Sequence, residues 1–197
     1  MSAIATEARS TTRSRILDAA FEAVRDFGVS RTTVEDVAQR AGLSRQTVYR
    51  YFPSKEHLVL ALVLREEEKF IEGTRVAFSS HDDLTEAFEA AISFCLQYAR
   101  EHPLLDRLLA TDQETFLPYL TVKGLPVIVR AREALMELVR ERRPHADTGS
   151  LRGTLDAATR ATLSYILTPS EQPAHIVAGA MAHALSAAIP GESEGRP

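Results

Sequence analysis

The chain has 197 residues, 45% hydrophobic and 25% charged, which supplies enough apolar material for a core in one compact unit or in a small head on a larger body. No run approaches the ~18 apolar residues that would span a bilayer, and the N-terminus MSAIATEARSTTRSR lacks an apolar signal stretch, so a soluble cytoplasmic protein without membrane contact is expected. Cys95 is the only cysteine, which excludes an intrachain disulfide, and the net charge of −4 conceals an asymmetry: residues 1–60 hold nine Lys/Arg against seven Asp/Glu, residues 61–197 fourteen against twenty.

Residues 12–27 place Ile16, Leu17, Ala20, Phe21, Val24 and Phe27 at helical spacing, and Gly28 closes the segment. The arm leading into its first turn carries Arg9, Arg13 and Arg15, suited to lie along phosphates or in a minor groove, or else to fray in solvent. Thr33 then caps a short helix, with Asp36 three residues on completing a capping box and Val34, Val37 and Ala38 on one face. Gly42 ends it in a left-handed turn, Leu43 plugs the core, and Ser44 caps a second helix from Arg45 to about Tyr51. Val48 and Phe52 face inward together, leaving Arg45, Gln46, Thr47, Tyr49 and Arg50 outside. Arg pairs with guanine, Gln with adenine, Thr meets a thymine methyl, and Tyr reaches phosphate, so this is a reading face for double-stranded DNA. Pro53 ends the helix, Ser54 caps the next, and Lys55 in its first turn is placed for a backbone phosphate. With residues 12–27, the pair makes a three-helix head whose expected core is Leu17, Phe21, Val24, Val37, Leu43, Val48 and Phe52.

The run from Val34 to Leu58, with Ala41-Gly42-Leu43-Ser44, Thr47-Val48-Tyr49, Tyr51-Phe52 and Ser54-Lys55-Glu56, resembles the DNA-binding head of the tetracycline-repressor (TetR/AcrR) family. The resemblance covers about the first third of the chain. It implies a DNA-binding domain at residues 1–55 and a ligand-binding and dimerisation domain at 56–197; together with the residue chemistry above, the DNA contacts expected are Thr33, Ser44, Arg45, Gln46, Thr47, Tyr49, Arg50, Tyr51 and Lys55. The family usually carries a small residue where this chain has Gln46, so base reading by Gln46 rests on that side chain's own chemistry.

Residues 55–78 continue as a connecting helix whose Glu66-Glu67-Glu68 run reads as a solvated face, because successive helical residues point about 100° apart and cannot converge on one ion. Residues 84–100 are apolar almost all round and belong at the centre of the body. Shorter pieces follow at 104–110 and 111–123, the latter broken by Pro118. A longer helix opens at Gly124 and Pro126, with Ile128, Ala131, Leu135 and Leu138 on one stripe. Two last helices, 151–167 and 173–189, carry more apolar surface than one body needs, which points to a homodimer through a four-helix arrangement. The competing reading leaves both stripes inside one chain. No alternating β-branched run is present, so the fold class is all-α.

Chemistry for catalysis is missing from the pattern. There is no nucleophile elbow, phosphate loop or zinc-protease motif, and no cofactor is expected. His102 and Asp106 lie four apart but read as a helix-surface contact rather than a metal pair, and Cys95 reads as a small buried hydrophobe. The family resemblance implies instead an apolar effector pocket in the body, drawn from Phe88, Phe94, Cys95, Tyr98, His102, Phe116, Tyr119, Ile128 and Tyr165. The function expected is a ligand-released repressor that binds a palindromic operator as a dimer. The alternatives are a DNA-binding protein without ligand control and, more remotely, a helical enzyme.

Overall fold

The computed structural model describes residues 2–189, with side chains from residue 10 onward except those of Pro103 and Asp106. The described chain holds no strand and runs through α1 (Ser2–Arg31), α2 (Val34–Arg40), α3 (Arg45–Tyr51), α4 (Lys55–Ser79), α5 (Leu84–Glu101), α6 (Pro103–Thr111), α7 (Gln113–Phe116), a 3-10 turn (Leu117–Tyr119), α8 (Leu125–Arg142), α9 (Thr148–Leu167) and α10 (Ala174–Ala188). Two compact units result. The first takes in the chain up to Glu66 together with Pro103–Val122, and the second takes in Glu67–His102 and the chain from Lys123 onward.

In the first unit Ile16, Leu17, Ala20 and Val24 of α1 are buried with Val34, Val37 and Ala38 of α2, Val48 of α3, Phe52, and Leu58, Val59 and Leu62 of α4. Leu104, Leu108, Phe116, Tyr119 and Leu120 belong to the same unit and are buried too. Burial of each large aliphatic or aromatic side chain contributes about 1.5–3 kcal/mol, so a head of this size depends on having several elements to share. Phe21 and Leu43, expected in the core, are only half-buried.

Helix α1 begins about ten residues earlier than its apolar pattern suggests, so the arm, expected either to lie along DNA or to fray, is helical. Arg13 lays its guanidinium 5.4 Å from the Phe52 ring centre, and Arg15 Nη2 donates to the Ala41 carbonyl at 2.6 Å. These contacts tie the arm's arginines to the head; the Arg9 side chain lies outside the described residues. Helicity is broken at Gly28, with φ 81° and ψ 168°, a backbone state that a side chain resists. A Cβ there would also lie 2.9 Å from Asp112 Oδ2.

The second unit is built on α5. Its Leu84, Ala87, Phe88, Ala91, Ile92 and Leu96 are buried against Phe78 of α4, Met136, Leu138 and Val139 of α8, Leu151, Leu155 and Ala158 of α9, and Val177, Ala178, Ala182 and Leu185 of α10. Phe78 and Phe88 meet edge to face, 5.4 Å between centroids. Arg142 places its guanidinium 4.4 Å from the Phe78 ring centre and donates Nη2 to the Phe78 carbonyl, satisfying a backbone acceptor near the end of α4. Arg132, 8% exposed, links α8 to α9 through Asp156 at 3.1 Å and also grips Glu133 at 2.7 Å.

One expectation for α4 is overturned. Glu66 and Glu67 are 6% and 8% exposed rather than solvated, and only Glu68 of the three faces solvent. Their charge run hides the fact that two of the three directions around this helix are covered by protein.

Replacement of Gly28 by alanine is expected to destabilise the chain by about 1–3 kcal/mol through strain at this φ, more if Asp112 cannot move aside. Chemical denaturation of the variant measures it, and an unchanged midpoint would show that the junction relaxes freely.

Candidate nucleic-acid interface

The helix-turn-helix is held by local chemistry that its sequence states openly. Thr33 Oγ1 accepts from the Asp36 amide at 3.1 Å while Asp36 Oδ2 accepts from the Thr33 amide at 2.9 Å, so both halves of the capping box form. The hydrogen bonds from Thr33 hold the Asp36 carboxyl below the usual carboxylate range. At its other end, α2 closes through Gly42 at φ 63°: the Gly42 amide donates to Gln39 and the Leu43 amide to Ala38. That bond pattern turns the chain sharply and releases it at Ser44. Ser44 Oγ accepts from the Thr47 amide at 3.1 Å and starts α3.

Within α3 only Val48 is fully buried. Arg45, Gln46 and Arg50 are exposed, and Thr47, Tyr49 and Tyr51 are half-buried with part of each side chain in solvent. Arg45 Nη2 donates to the Tyr49 hydroxyl at 3.2 Å and its guanidinium stands 5.3 Å from that ring centre. A pre-positioned arginine loses less freedom on meeting a base, which favours directional contact over loose attraction. Arg50 rests similarly on Tyr51, 5.7 Å from its centroid. Thr33 and Ser44 spend their hydroxyls on capping, so they border the surface as structural members first. Lys55 Nζ donates to the Ser30 carbonyl at 2.9 Å, which fixes the α1–α2 junction beside the N-terminus of α4.

That junction is braced by residues the sequence did not advertise. Asp112 Oδ2 accepts from the Ser30 amide at 2.8 Å, and Arg107 Nη2 donates to the Asp26 carbonyl at 2.8 Å. Arg40 of α2 pairs with the Asp26 carboxylate at 3.0 Å. A cleft of about 170 Å³ lies here, lined by Phe27, Gly28, Ser30, Arg31, Arg107, Thr111 and Asp112, smaller than the roughly 300 Å³ at which small-molecule sites begin. Partners some eighty residues apart leave no periodic trace in the sequence.

The residues expected around an effector are distributed unevenly. Phe94, Tyr98 and His102 come together with Phe70: Phe94 stacks on Tyr98 at 5.3 Å, and Tyr98 meets Phe70 edge-on at 4.6 Å and His102 at 5.7 Å. Cys95 Sγ lies 3.0 Å from Thr74 Oγ1, and burial pushes its thiol pKa up, away from nucleophilic use. Phe88 belongs to the main core, Tyr165 packs on that core's edge, and Ile128 is buried in α8. Phe116 and Tyr119 belong to the first unit. The Asp106 side chain lies outside the described residues, and among those described no group of three His, Cys, Asp or Glu side chains could hold a metal ion. No helix among the described residues is long and apolar enough to cross a membrane.

A capped helix pair presenting an arginine-bearing, otherwise polar helix from a small helical unit defines a helix-turn-helix transcriptional regulator. Residues 16–62 match the family described as bacterial regulatory proteins, tetR family, and residues 83–187 match the bacterial tetracyclin repressor, C-terminal domain. The chain belongs to the TetR family of transcriptional regulators, and the relatives named below are regulators rather than enzymes. It is similar to the regulator AlkX of Mycobacterium tuberculosis, 26% identical over 180 residues that span 88% of this chain and 85% of that one. Among solved structures it is similar to the TetR family repressor AlkX from Dietzia sp. strain DQ12-45-1b, implicated in biodegradation of n-alkanes, at 30% identity and a TM-score of 0.72 over 88% of this chain and 94% of that one. The transcriptional activator FasR of Mycolicibacterium smegmatis is 24% identical over 131 residues, 66% of this chain and 60% of that one.

Burial raises the Glu67 pKa from 4.5 to about 8, so the folded chain keeps a proton that the unfolded chain has lost between those values. Its stabilising share is therefore complete below about pH 4.5 and disappears as pH rises to about 8. Glu67→Gln is expected to raise the melting temperature progressively more toward alkaline pH, by about 2–4 °C per kcal/mol. Parallel pH dependence in variant and native chain would contradict this.

Proposed function

We propose that this protein is a cytoplasmic repressor that binds a palindromic operator as a homodimer and is released by a small, largely apolar effector. The observation that carries the DNA half is the open face of α3, where Arg45, Gln46, Thr47, Tyr49 and Arg50 stand outside a helix anchored by the buried Val48. Two such helices in successive major grooves lie about 34–36 Å apart on a two-fold operator. DNA recognition falls to residues 1–55, with Thr33, Ser44, Tyr51 and Lys55 supporting the backbone contacts, and dimerisation and effector sensing fall to residues 56–197.

The dimer reading is supported by α10. Its buried stripe of Val177, Ala178, Ala182 and Leu185 is used inside the chain, while Ile176, Ala180, Ala184 and Ala187 remain exposed one helical turn apart on another side. Small side chains in that arrangement let a second helix approach closely, and closed two-fold symmetry pairs the stripe with itself. The effector reading is supported by the aromatic group of Phe70, Phe94, Tyr98 and His102 in the second unit. Release comes through differential affinity of the effector for two states of the protein, typically ~1–3 kcal/mol for a graded response and about 5.5 kcal/mol for a near-complete switch. Helix α4, which contributes to both units, is the element that carries the change.

Selection of bound fragments from random DNA is expected to yield an inverted repeat. Arg45→Ala and Gln46→Ala should each relax preference at particular bases by about 1–3 kcal/mol, while Lys55→Ala weakens all sequences alike and lowers the salt slope by about one. Identical behaviour of all three variants would overturn this division of roles. Ala184→Arg is expected to leave a folded monomer in sedimentation and to lose the inverted repeat; a dimer that survives it places the interface elsewhere.

A further inference from the structure

Glu67 is a buried carboxyl group that DNA recognition leaves unused. It is 8% exposed, and among the described residues no hydrogen bond reaches either of its carboxyl oxygens. The nearest cation is Arg130 of α8, whose Nη1 stands 3.7 Å from Oε2, while its Nη2 is held by Glu68. Buried polar atoms in native folds are almost always paired, so an exception of this kind marks a position where a partner is received.

The surroundings say what sort of partner. Phe70 lies one turn further along α4, on the same side of the helix as Glu67, and its ring meets Tyr98 at 4.6 Å and His102 at 5.9 Å. Phe94 stacks behind Tyr98, pressed so close to α4 that a Cβ at Gly73 would overlap its ring. An aromatic group on α4 and α5 with the buried Glu67 carboxyl one turn away along α4 is the division of labour found where an amphiphile is gripped by its body and oriented by its head.

We propose that Glu67 is the polar anchor of the effector site, and that it selects a molecule with an apolar body and an uncharged oxygen head, a hydroxyl or a carbonyl. This rests on the effector-controlled reading of the protein. With its pKa pushed up to about 8, the group is a neutral acid at physiological pH, able to donate its O–H to a head oxygen and to accept a hydroxyl proton in return. An anionic head would meet Glu67 and Glu68 with Arg130 already engaged between them. A cationic head would have to displace Arg130 from the same two carboxyl groups and be desolvated as well. The uncharged head leaves the Glu68–Arg130 pair intact and satisfies Glu67.

Titration calorimetry of the full chain with decanol, decanoate and decyltrimethylammonium, each below its aggregation threshold, tests the assignment while holding the apolar body constant. Decanol is expected to bind about tenfold more tightly than either charged probe, the worth of one satisfied buried hydrogen bond. Glu67→Gln, which keeps a neutral donor and acceptor, should stay within about threefold of that affinity, and Glu67→Leu should erase the preference for decanol. Tighter binding of decanoate or of the ammonium probe, or a preference that persists in Glu67→Leu, overturns the assignment and leaves the effector reading standing. If no probe binds a native chain that still binds its operator, the apolar-effector reading falls and takes the assignment with it.

Discussion

A helix of seven residues does not hold itself together in water, since isolated helices shorter than ~12–15 residues are marginal even with the best propensities. Both α2 and α3 are seven residues long, so the exposed face of α3 exists only because other parts of the chain impose it. The imposition is local at the ends, through the Thr33–Asp36 box, the left-handed Gly42 and the Ser44 cap. It is tertiary along the sides, where Val37 and Val48 are completely buried between α1 and the start of α4. The shape of α3 and the placing of its open face are therefore properties of the whole first unit, delivered through a helix whose own contribution to stability is slight.

The same logic explains which features could be read from the sequence. Capping boxes, glycine stops and proline breaks act within four residues, and each left its signature at the place where the structure has it. Every helix expected from periodicity is present, because burial of one face over three or more turns is a strong and repeated signal. What escaped was assembly. Pro103–Val122 reads like part of the body, and by its contacts Leu104, Leu108 and Phe116 are buried within the first unit. Its bonds to α1, from Asp112 to Ser30 and from Arg107 to Asp26, join partners too distant along the chain for any local pattern. The acidic run of α4 misled for a related reason: charge predicts exposure on average, and the burial of Glu66 and Glu67 depends on what lies around the helix.

Electrostatics divides the molecule as its charge count suggests, though by specific means. The N-terminal arginines that could have been free to seek phosphate are partly committed, Arg13 to Phe52 and Arg15 to the C-terminal carbonyl of α2. An arginine spent on a helix end still leaves its positive field at the surface, so these side chains organise the head and keep its potential positive together. In the second unit the charges are paired among themselves, with Arg132, Glu133, Asp156, Arg152 and Arg160 forming a continuous network between α8 and α9.

The discontinuity of the first unit has a bearing on how the chain comes to be folded at all. A head contained in its first sixty residues could finish folding while the rest was still being synthesised. Here the chain leaves that unit after Glu66, builds α5 elsewhere, and returns with Pro103–Val122 before departing again. On the ribosome the α1–α2 junction must therefore wait for Asp112 to emerge, with α5, on which the second unit's core is built, already outside the exit tunnel and still lacking α8, α9 and α10. Half-made versions of both units coexist during that interval, which makes this stretch of synthesis the one in which the nascent protein most needs protection from aggregation.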